Sequence, residues 1–312
     1  MLPSNIFYGV ILLFGTGIGA LANLLLLSIY FFSFLTSHIV KPVNVIITHL
    51  TLANLAAILS KGGPEAFIAL SGENFLDDVG CKLVFFIHKL AQALSICFAC
   101  YLCNFQAIII SPPSSRWAKY KDKAPEYINP FCIFCCIFNV LIEIPVILGL
   151  SGPRSSINNT DELNFLHCSV LRYINAYLML IGIRNALCVA LILWAGGSMV
   201  LLLHRHHQQV QTIHSTRLST RVSPEIKATQ TILQLLCTFV FFYFLASLFV
   251  IFVSYFHQHR FWLLRIDGLI SLCFPTVSPF VLLPPGARIC PISMCKDKHS
   301  SSLQAIFTEL SK

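Results

Sequence analysis

Apolar residues run along the chain in seven long blocks, at about residues 6–32, 43–70, 82–110, 130–150, 174–203, 228–254 and 264–284, with polar stretches between them. A helix crossing the hydrocarbon core of a bilayer needs about 20 mostly apolar residues, so each block predicts one spanning helix. Barrel strands are a poor match, because they are about ten residues long and alternate apolar with polar positions. Helices are also required because each backbone N–H and C=O within hydrocarbon needs a partner inside the protein. Proline and glycine interrupt the pattern at Ser111-Pro112-Pro113 and Ser151-Gly152-Pro153. The expected architecture is an all-α membrane protein: a seven-transmembrane helix bundle over residues 1–284, then a tail over residues 285–312.

Composition sharpens this. The chain is 56% apolar and 11% charged, against roughly a quarter charged in ordinary soluble domains. That excludes a soluble globular enzyme and leaves no length for a large domain outside the membrane. The opening block lacks a basic leader and is long enough to span, so the first helix is expected to act as its own insertion signal.

The formal charge of +8 matters through its placement, since basic residues accumulate in cytoplasmic loops. No lysine or arginine precedes Lys41, which predicts an outside N-terminus. Alternating from there, the inner segments hold thirteen basic residues, among them Lys41, Arg116, Arg205, Arg217, Arg221 and Lys227. The outer loops hold three, Arg154, Arg172 and Arg260. The bias predicts an N-out, C-in orientation with the lipid bilayer as the chain's surroundings and no nucleic-acid partner.

Asn158-Asn159-Thr160 is a glycosylation acceptor in the loop after the fourth helix, on the side where glycans are added. Of the thirteen cysteines, most lie inside apolar blocks and read as small helix-facing residues. Cys81, opening the third helix, and Cys168, in the same outer loop as Asn158, face the oxidising side, where a disulfide persists. They form the natural pair, with two free thiols as the alternative.

Ionisable groups inside spanning helices are costly and mark functional candidates. Lys61 and Glu65 share one face of the second helix with Pro64 between them; counting from residue 43 at about 1.5 Å per residue puts Lys61 about 27 Å up, near the outer end. Ligand contact competes there with snorkelling or a local pair to Glu65. In the third helix His88, Gln92, Ser95 and Ala99 recur at spacings of four, three and four, a small-and-polar stripe expected to face the bundle. His88 and Gln92 are the preferred contacts for a polar handle on a ligand, with interhelical hydrogen bonding as the alternative. Glu143 and Arg184 each need a partner, a watered cavity or, for Glu143, a proton. Arg265 and Asp267 read as ordinary residues at the mouth.

Cytoplasmic chemistry concentrates between the fifth and sixth helices, where His204, Arg205, His206 and His207 lead to Arg217, Arg221 and Lys227. This basic surface suits a protein partner or anionic lipid; the histidines lack metal-ligand spacing, and no metal or cofactor is expected. Beyond it, Leu303, Ile306, Phe307 and Leu310 form an amphipathic stripe, and Cys290 and Cys295 are candidate palmitoylation sites.

Short strings separate the seven-helix families. His49-Leu50 precedes Ala53-Asn54; the third helix opens Cys81-Lys82-Leu83-Val84-Phe85 and closes Phe105-Gln106-Ala107-Ile108 before Ser111-Pro112. The fifth helix carries Trp194-Ala195-Gly196-Gly197-Ser198-Met199-Val200. Later come His214-Ser215, Ser223-Pro224-Glu225, Ala228-Thr229-Gln230-Thr231-Ile232-Leu233 and Phe274-Pro275-Thr276-Val277-Ser278-Pro279-Phe280. In order along nearly the whole chain, these strings resemble the vomeronasal type-1 receptors, G-protein-coupled pheromone receptors. The resemblance implies a plasma-membrane chemosensory receptor for small apolar or volatile chemosignals that signals through an inhibitory-class heterotrimeric G protein. Gln106 stands where rhodopsin-like receptors carry the arginine of an acidic-Arg-aromatic triplet, and Ser278-Pro279 replaces their Asn-Pro pair, so an arginine latch is not expected. Gln106, Arg205, Arg217, Arg221 and Lys227 are the candidate G-protein-facing residues. Bitter-taste receptors match fewer strings; a channel or transporter would bring inverted repeats, and none is found.

Overall fold

The structure is a computed structural model that describes residues 3–36, 42–72, 75–112, 115, 117–148, 150–151, 163–165, 168–170, 175–213, 224–255 and 260–283. Seven long helices dominate the described residues: α1 (Pro3–Thr36), α2 (Pro42–Ser71), α3 (Asp78–Ile110), α5 (Ile128–Leu148), α6 (Asn175–Ile213), α7 (Pro224–Tyr255) and α8 (Arg260–Leu282). A short helix α4 (Ala118–Lys121) and a 3₁₀ turn (Ala124–Tyr127) connect α3 to α5. Five helices are long and apolar enough to cross a membrane, within Asn5–Thr36, Pro42–Ser71, Asp78–Ile110, Ala124–Pro145 and Met179–Arg205. The apolar stretches described in α7 and α8, Thr229–Leu245 and Gly268–Leu282, are shorter.

Between α5 and α6 the chain adds something the apolar pattern does not announce, a small antiparallel sheet in the order β1-β3-β2. Its strands are β1 (Leu150–Ser151), β2 (Leu163–Phe165) and β3 (Cys168–Val170), too short to register in hydropathy. Asn158 lies outside the described residues, as do Arg116, Arg217, Arg221, Cys290, Cys295 and the stripe at 303–310.

Helix ends follow local chemistry. Asp77 caps α3 by accepting the Gly80 N–H at 2.7 Å, and Asp78 in the first turn complements the helix dipole. α2 stops where Gly72 takes φ 77°, a left-handed turn that only glycine adopts freely, and its N–H returns to the Ile68 carbonyl at 2.9 Å. One boundary corrects the expectation. α6 does not end at residue 203 but continues to Ile213, so His204 and Arg205 ride on helix, not loop. No glycine or proline occurs from 204 to 213; polarity there ends the apolar block without ending the helix.

α3 is the hub, packing against α2, α5, α6 and α7, while α1 lies along α2. The side chains are arranged inside out. On α5, Asn139 and Glu143 are buried, whereas Ile133, Phe134, Ile137, Phe138 and Leu141 are exposed. Soluble monomers rarely expose contiguous apolar patches beyond a few hundred Å², so these faces need hydrocarbon, and the chain is a membrane protein.

Polar groups hold the helices in register. Pro279 lacks the N–H that would satisfy the Pro275 carbonyl one turn earlier. Asn23 of α1 fills that vacancy, donating from Nδ2 to the Pro275 carbonyl at 3.0 Å and to Gly19 at 2.8 Å. Asn54 of α2 donates to Ser278 Oγ at 2.8 Å and accepts from Ser95 of α3 at 2.6 Å. These bonds tie α1, α2, α3 and α8 together.

The α1–α2 crossing depends on Gly62, where an added Cβ would collide with the Thr16 side chain. Gly62→Ala should therefore cost about 1–3 kcal/mol, read as a lowered melting temperature of the purified chain. Adding Thr16→Ala should restore most of the loss; no recovery in the double variant would place the strain elsewhere.

Candidate functional site

Two buried polar clusters gather the acidic and basic candidates singled out inside the spanning helices, Lys61, Glu65, Glu143 and Arg184. The first joins α3, α5 and α6. Helical spacing places Asn139 and Glu143 one turn apart on the inward face of α5, and Arg184 reaches them from α6. Glu143 is 1% exposed and Arg184 8%, and Arg184 Nη1 meets Glu143 Oε1 at 2.8 Å. Tyr177 donates its hydroxyl to Glu143 Oε2 at 2.6 Å. Arg184 also donates to Asn139 Oδ1 and Asn185 Oδ1, each at 3.2 Å. Asn139 in turn donates to the Cys135 carbonyl at 2.8 Å and lies 3.5 Å from Cys97 Sγ of α3.

Each charge thus neutralises the other, and both carboxylate oxygens accept hydrogen bonds. An ion pair in low dielectric persists only when its remaining hydrogen-bonding capacity is met, and Tyr177 and Asn139 meet it. Neither residue figures in the sequence reading. The available signal was spacing, Asn139 and Glu143 at i and i+4 on an apolar helix.

The second cluster joins α1, α2, α3 and α8. Lys61 is 2% exposed and donates to Ser271 Oγ of α8 at 2.9 Å. This corrects the snorkelling alternative: the ammonium is held between helices, not led along its alkyl stem to the surface. Glu65 accepts the Tyr8 hydroxyl at 2.7 Å, which links α2 to α1. Arg265, expected as an ordinary mouth residue, donates to Asn5 Oδ1 at 2.7 Å and lies over the Tyr8 ring at 5.3 Å. It locks α8 onto α1.

The stripe on α3 faces inward as expected, with His88, Ser95 and Ala99 buried and Gln92 half-buried. His88 Nδ1 lies 3.2 Å from the Ala57 carbonyl of α2; since a carbonyl only accepts, Nδ1 carries the proton in that bond. His88 therefore takes part in an interhelical bond, and Gln92 is the less enclosed of the two preferred contacts. Cys81 is buried and disulfide-bonded, while the side chain of Cys168, on β3, is outside the described set. At the other end of α3, Gln106 is buried, whereas Arg205 on α6 is exposed. Lys227 is on α7, its side chain not described.

Removing one member of the buried ion pair leaves an uncompensated charge. Arg184→Met should cost about 3–5 kcal/mol, and the double variant Arg184→Met with Glu143→Leu should recover much of it. Thermal unfolding of the purified chain reads the coupling, and additive losses would show that the two side chains act independently.

Comparison with known proteins agrees with the architecture. Residues 6–294 match the vomeronasal organ pheromone receptor family. The chain is 41% identical over 286 residues to vomeronasal type-1 receptor 3 of Homo sapiens, covering 90% of this chain and 91% of that protein. It is 36% identical over 284 residues to vomeronasal type-1 receptor 1 of Gorilla gorilla gorilla, with 90% and 80% covered. At 28% identity over 292 residues, it is also similar to olfactory receptor class A-like protein 1 of Danio rerio, with 92% of each chain covered. A family match over nearly the whole length, with relatives at this identity, places the chain in the vomeronasal type-1 receptor family.

Proposed function

We propose that this chain is a plasma-membrane chemosensory receptor with seven spans, N-terminus outside and C-terminus inside, that binds small apolar or volatile chemosignals and signals through an inhibitory-class heterotrimeric G protein. The match of residues 6–294 to a pheromone receptor family carries the reading. The inside-out bundle supports it, because apolar faces turned to hydrocarbon with a few buried polar groups held in place among the helices suit recognition of a lipophilic ligand.

Within this reading the chemosignal binds inside the bundle around α3, toward the end of α3 that holds Cys81. Gln92 supplies an adjustable polar handle, with Glu143 and Arg184 as the polar groups on the α5–α6 side and His88, Lys61 and Glu65 as those on the α2 side. The ligand acts by binding one helix arrangement better than another, and that difference in affinity limits how far it shifts the equilibrium. Gln106, buried in this arrangement, becomes available to the G protein when that end of the bundle opens. Arg205, Arg217, Arg221 and Lys227 supply the surrounding basic surface. A disulfide from Cys81 to Cys168 fastens β3 to α3 across the mouth, and Asn158 carries a glycan on the same side.

The test is a panel of volatile and lipophilic odorants on cells expressing the chain with an inhibitory-class Gα and a calcium readout. Epitope tags on both termini check that only the N-terminal tag is reached in intact cells. Gln92→Ala should shift potency by about tenfold for some ligands, of the order of one lost hydrogen bond, with surface labelling unchanged. Identical dose-response curves across all active ligands would remove Gln92 from the site. Cys81→Ser and Cys168→Ser should each lower surface delivery by the same factor, with the double variant no worse than either single. Unequal or additive losses would break the pairing.

A further inference from the structure

The last turns of α3, the turn that follows and the later half of α6 border a cavity of about 370 Å³ that no ligand assignment above uses. Apolar Ile108, Trp194 and Leu201 line it, Ser115 and Trp117 close one side, and Arg205 stands in its wall. Trp117 and Trp194 meet edge to face, with centroids 5.4 Å apart, and remain 43% and 47% exposed. Half-exposed tryptophans are characteristic of the headgroup level of a bilayer, where an amphipathic ring is satisfied on both sides.

The face of α6 that borders the cavity shows what covers it. Leu187, Leu191, Trp194, Ser198, Leu201 and Arg205 follow one another at steps of four, three, four, three and four, a single helical stripe. Leu187, Leu191, Trp194 and Leu201 are exposed, so the stripe faces hydrocarbon and ends in a cation. From Leu187 to Arg205 it runs about 27 Å at 1.5 Å per residue, from acyl depth past the level of Trp194 to the cation. Arg205 is exposed and has no carboxylate partner among the described residues. Ser115 Oγ accepts the Trp117 N–H at 3.2 Å, which leaves its O–H to donate. Lys119 lies beside this wall, over the Tyr120 ring at 4.8 Å.

We propose that this cavity is a binding site for an anionic phospholipid of the cytoplasmic leaflet, its acyl chain against Trp194 and Leu201 and its phosphate on Arg205 and Ser115. An apolar wall that runs into a guanidinium matches a lipid better than a soluble anion, which has nothing to place against the leucines. The proposal rests on the orientation given under the proposed function, because anionic lipids are concentrated in the cytoplasmic leaflet.

Tryptophan reports the site directly. The chain has three tryptophans; Trp262→Phe leaves Trp117 and Trp194, both in the cavity wall. The full chain in phosphatidylcholine nanodiscs is doped with equal fractions of chain-brominated phosphatidylserine or chain-brominated phosphatidylcholine, whose bromines quench a tryptophan they touch. About fivefold stronger enrichment of the serine lipid is expected, the effect of one basic residue near an anionic surface. Arg205→Gln should abolish the preference, Arg205→Lys should keep it, and Ser198→Leu, which fills the cavity without changing its charge, should weaken it. Retention by Arg205→Lys separates lost recognition from misfolding; if Arg205→Gln does not fold, Ser198→Leu carries the test. Equal quenching by the two lipids, or a preference unchanged in both the Arg205→Gln and Ser198→Leu variants, overturns the proposal. Suppression by millimolar inorganic phosphate also overturns it, assigning the cavity to a soluble anion. The discs contain neither odorant nor G protein, so these outcomes are independent of signalling. An inverted topology would be found by the terminal tags and would leave the preference in discs intact.

Discussion

Hydrocarbon offers no hydrogen bonds, and most of this structure answers to that constraint. In water, a carbonyl freed by proline finds a solvent molecule; within a bilayer it needs another helix. Pro279 creates such a carbonyl at Pro275, and Asn23, 252 residues away in sequence, supplies the donor. The arrangement is not perfectly balanced, since Asn23 Oδ1 itself is buried without a hydrogen-bond partner. Its two donors nevertheless satisfy two carbonyls. Asn54 extends the same logic with both ends of its amide engaged, so four helices are positioned by very few polar atoms.

Charges obey the same rule at higher stakes. Glu143 and Arg184 lie 2.8 Å apart, with Tyr177 donating to the carboxylate and Asn139 accepting from the guanidinium, so each charge of this pair has a counterpart. A buried ion pair is weak evidence for stability, because desolvation offsets most of the attraction. Its effect is on geometry: the pair joins α5 to α6 at one point along each helix. The Lys61–Ser271 and Arg265–Asn5 contacts register α8 against α2 and α1 in the same way. The two clusters thus consist of groups already oriented by one another.

Much of the buried polar framework at the candidate site was legible residue by residue. Lys61, Glu65, Glu143 and Arg184 stand out because each is an ion in an apolar block, and the α3 stripe of His88, Gln92, Ser95 and Ala99 predicts its inward face from spacing alone. Their partners were not legible. Tyr8, Asn139, Tyr177 and Ser271 are ordinary polar residues within helices, and what makes them important is a neighbour from a distant part of the chain. Snorkelling of Lys61 was a fair expectation for a long side chain near a helix end; the nearby Ser271 decided otherwise. The extension of α6 through Arg205 was hidden for another reason, because hydropathy marks the limit of hydrocarbon and helix propensity does not change there.

Hydropathic blocks, the placement of lysine and arginine, and the ordered strings from His49 to Phe280 determined that the chain is a helical membrane protein resembling vomeronasal type-1 receptors. Those are local or compositional properties, set by what hydrocarbon excludes. Tertiary structure alone decided that Glu143 pairs with Arg184, that Lys61 turns inward to Ser271, and that two tryptophans and an arginine surround one cavity. Each of these joins residues from helices separated in sequence, and helix periodicity gives the face a residue occupies without giving the helix that will lie across from it.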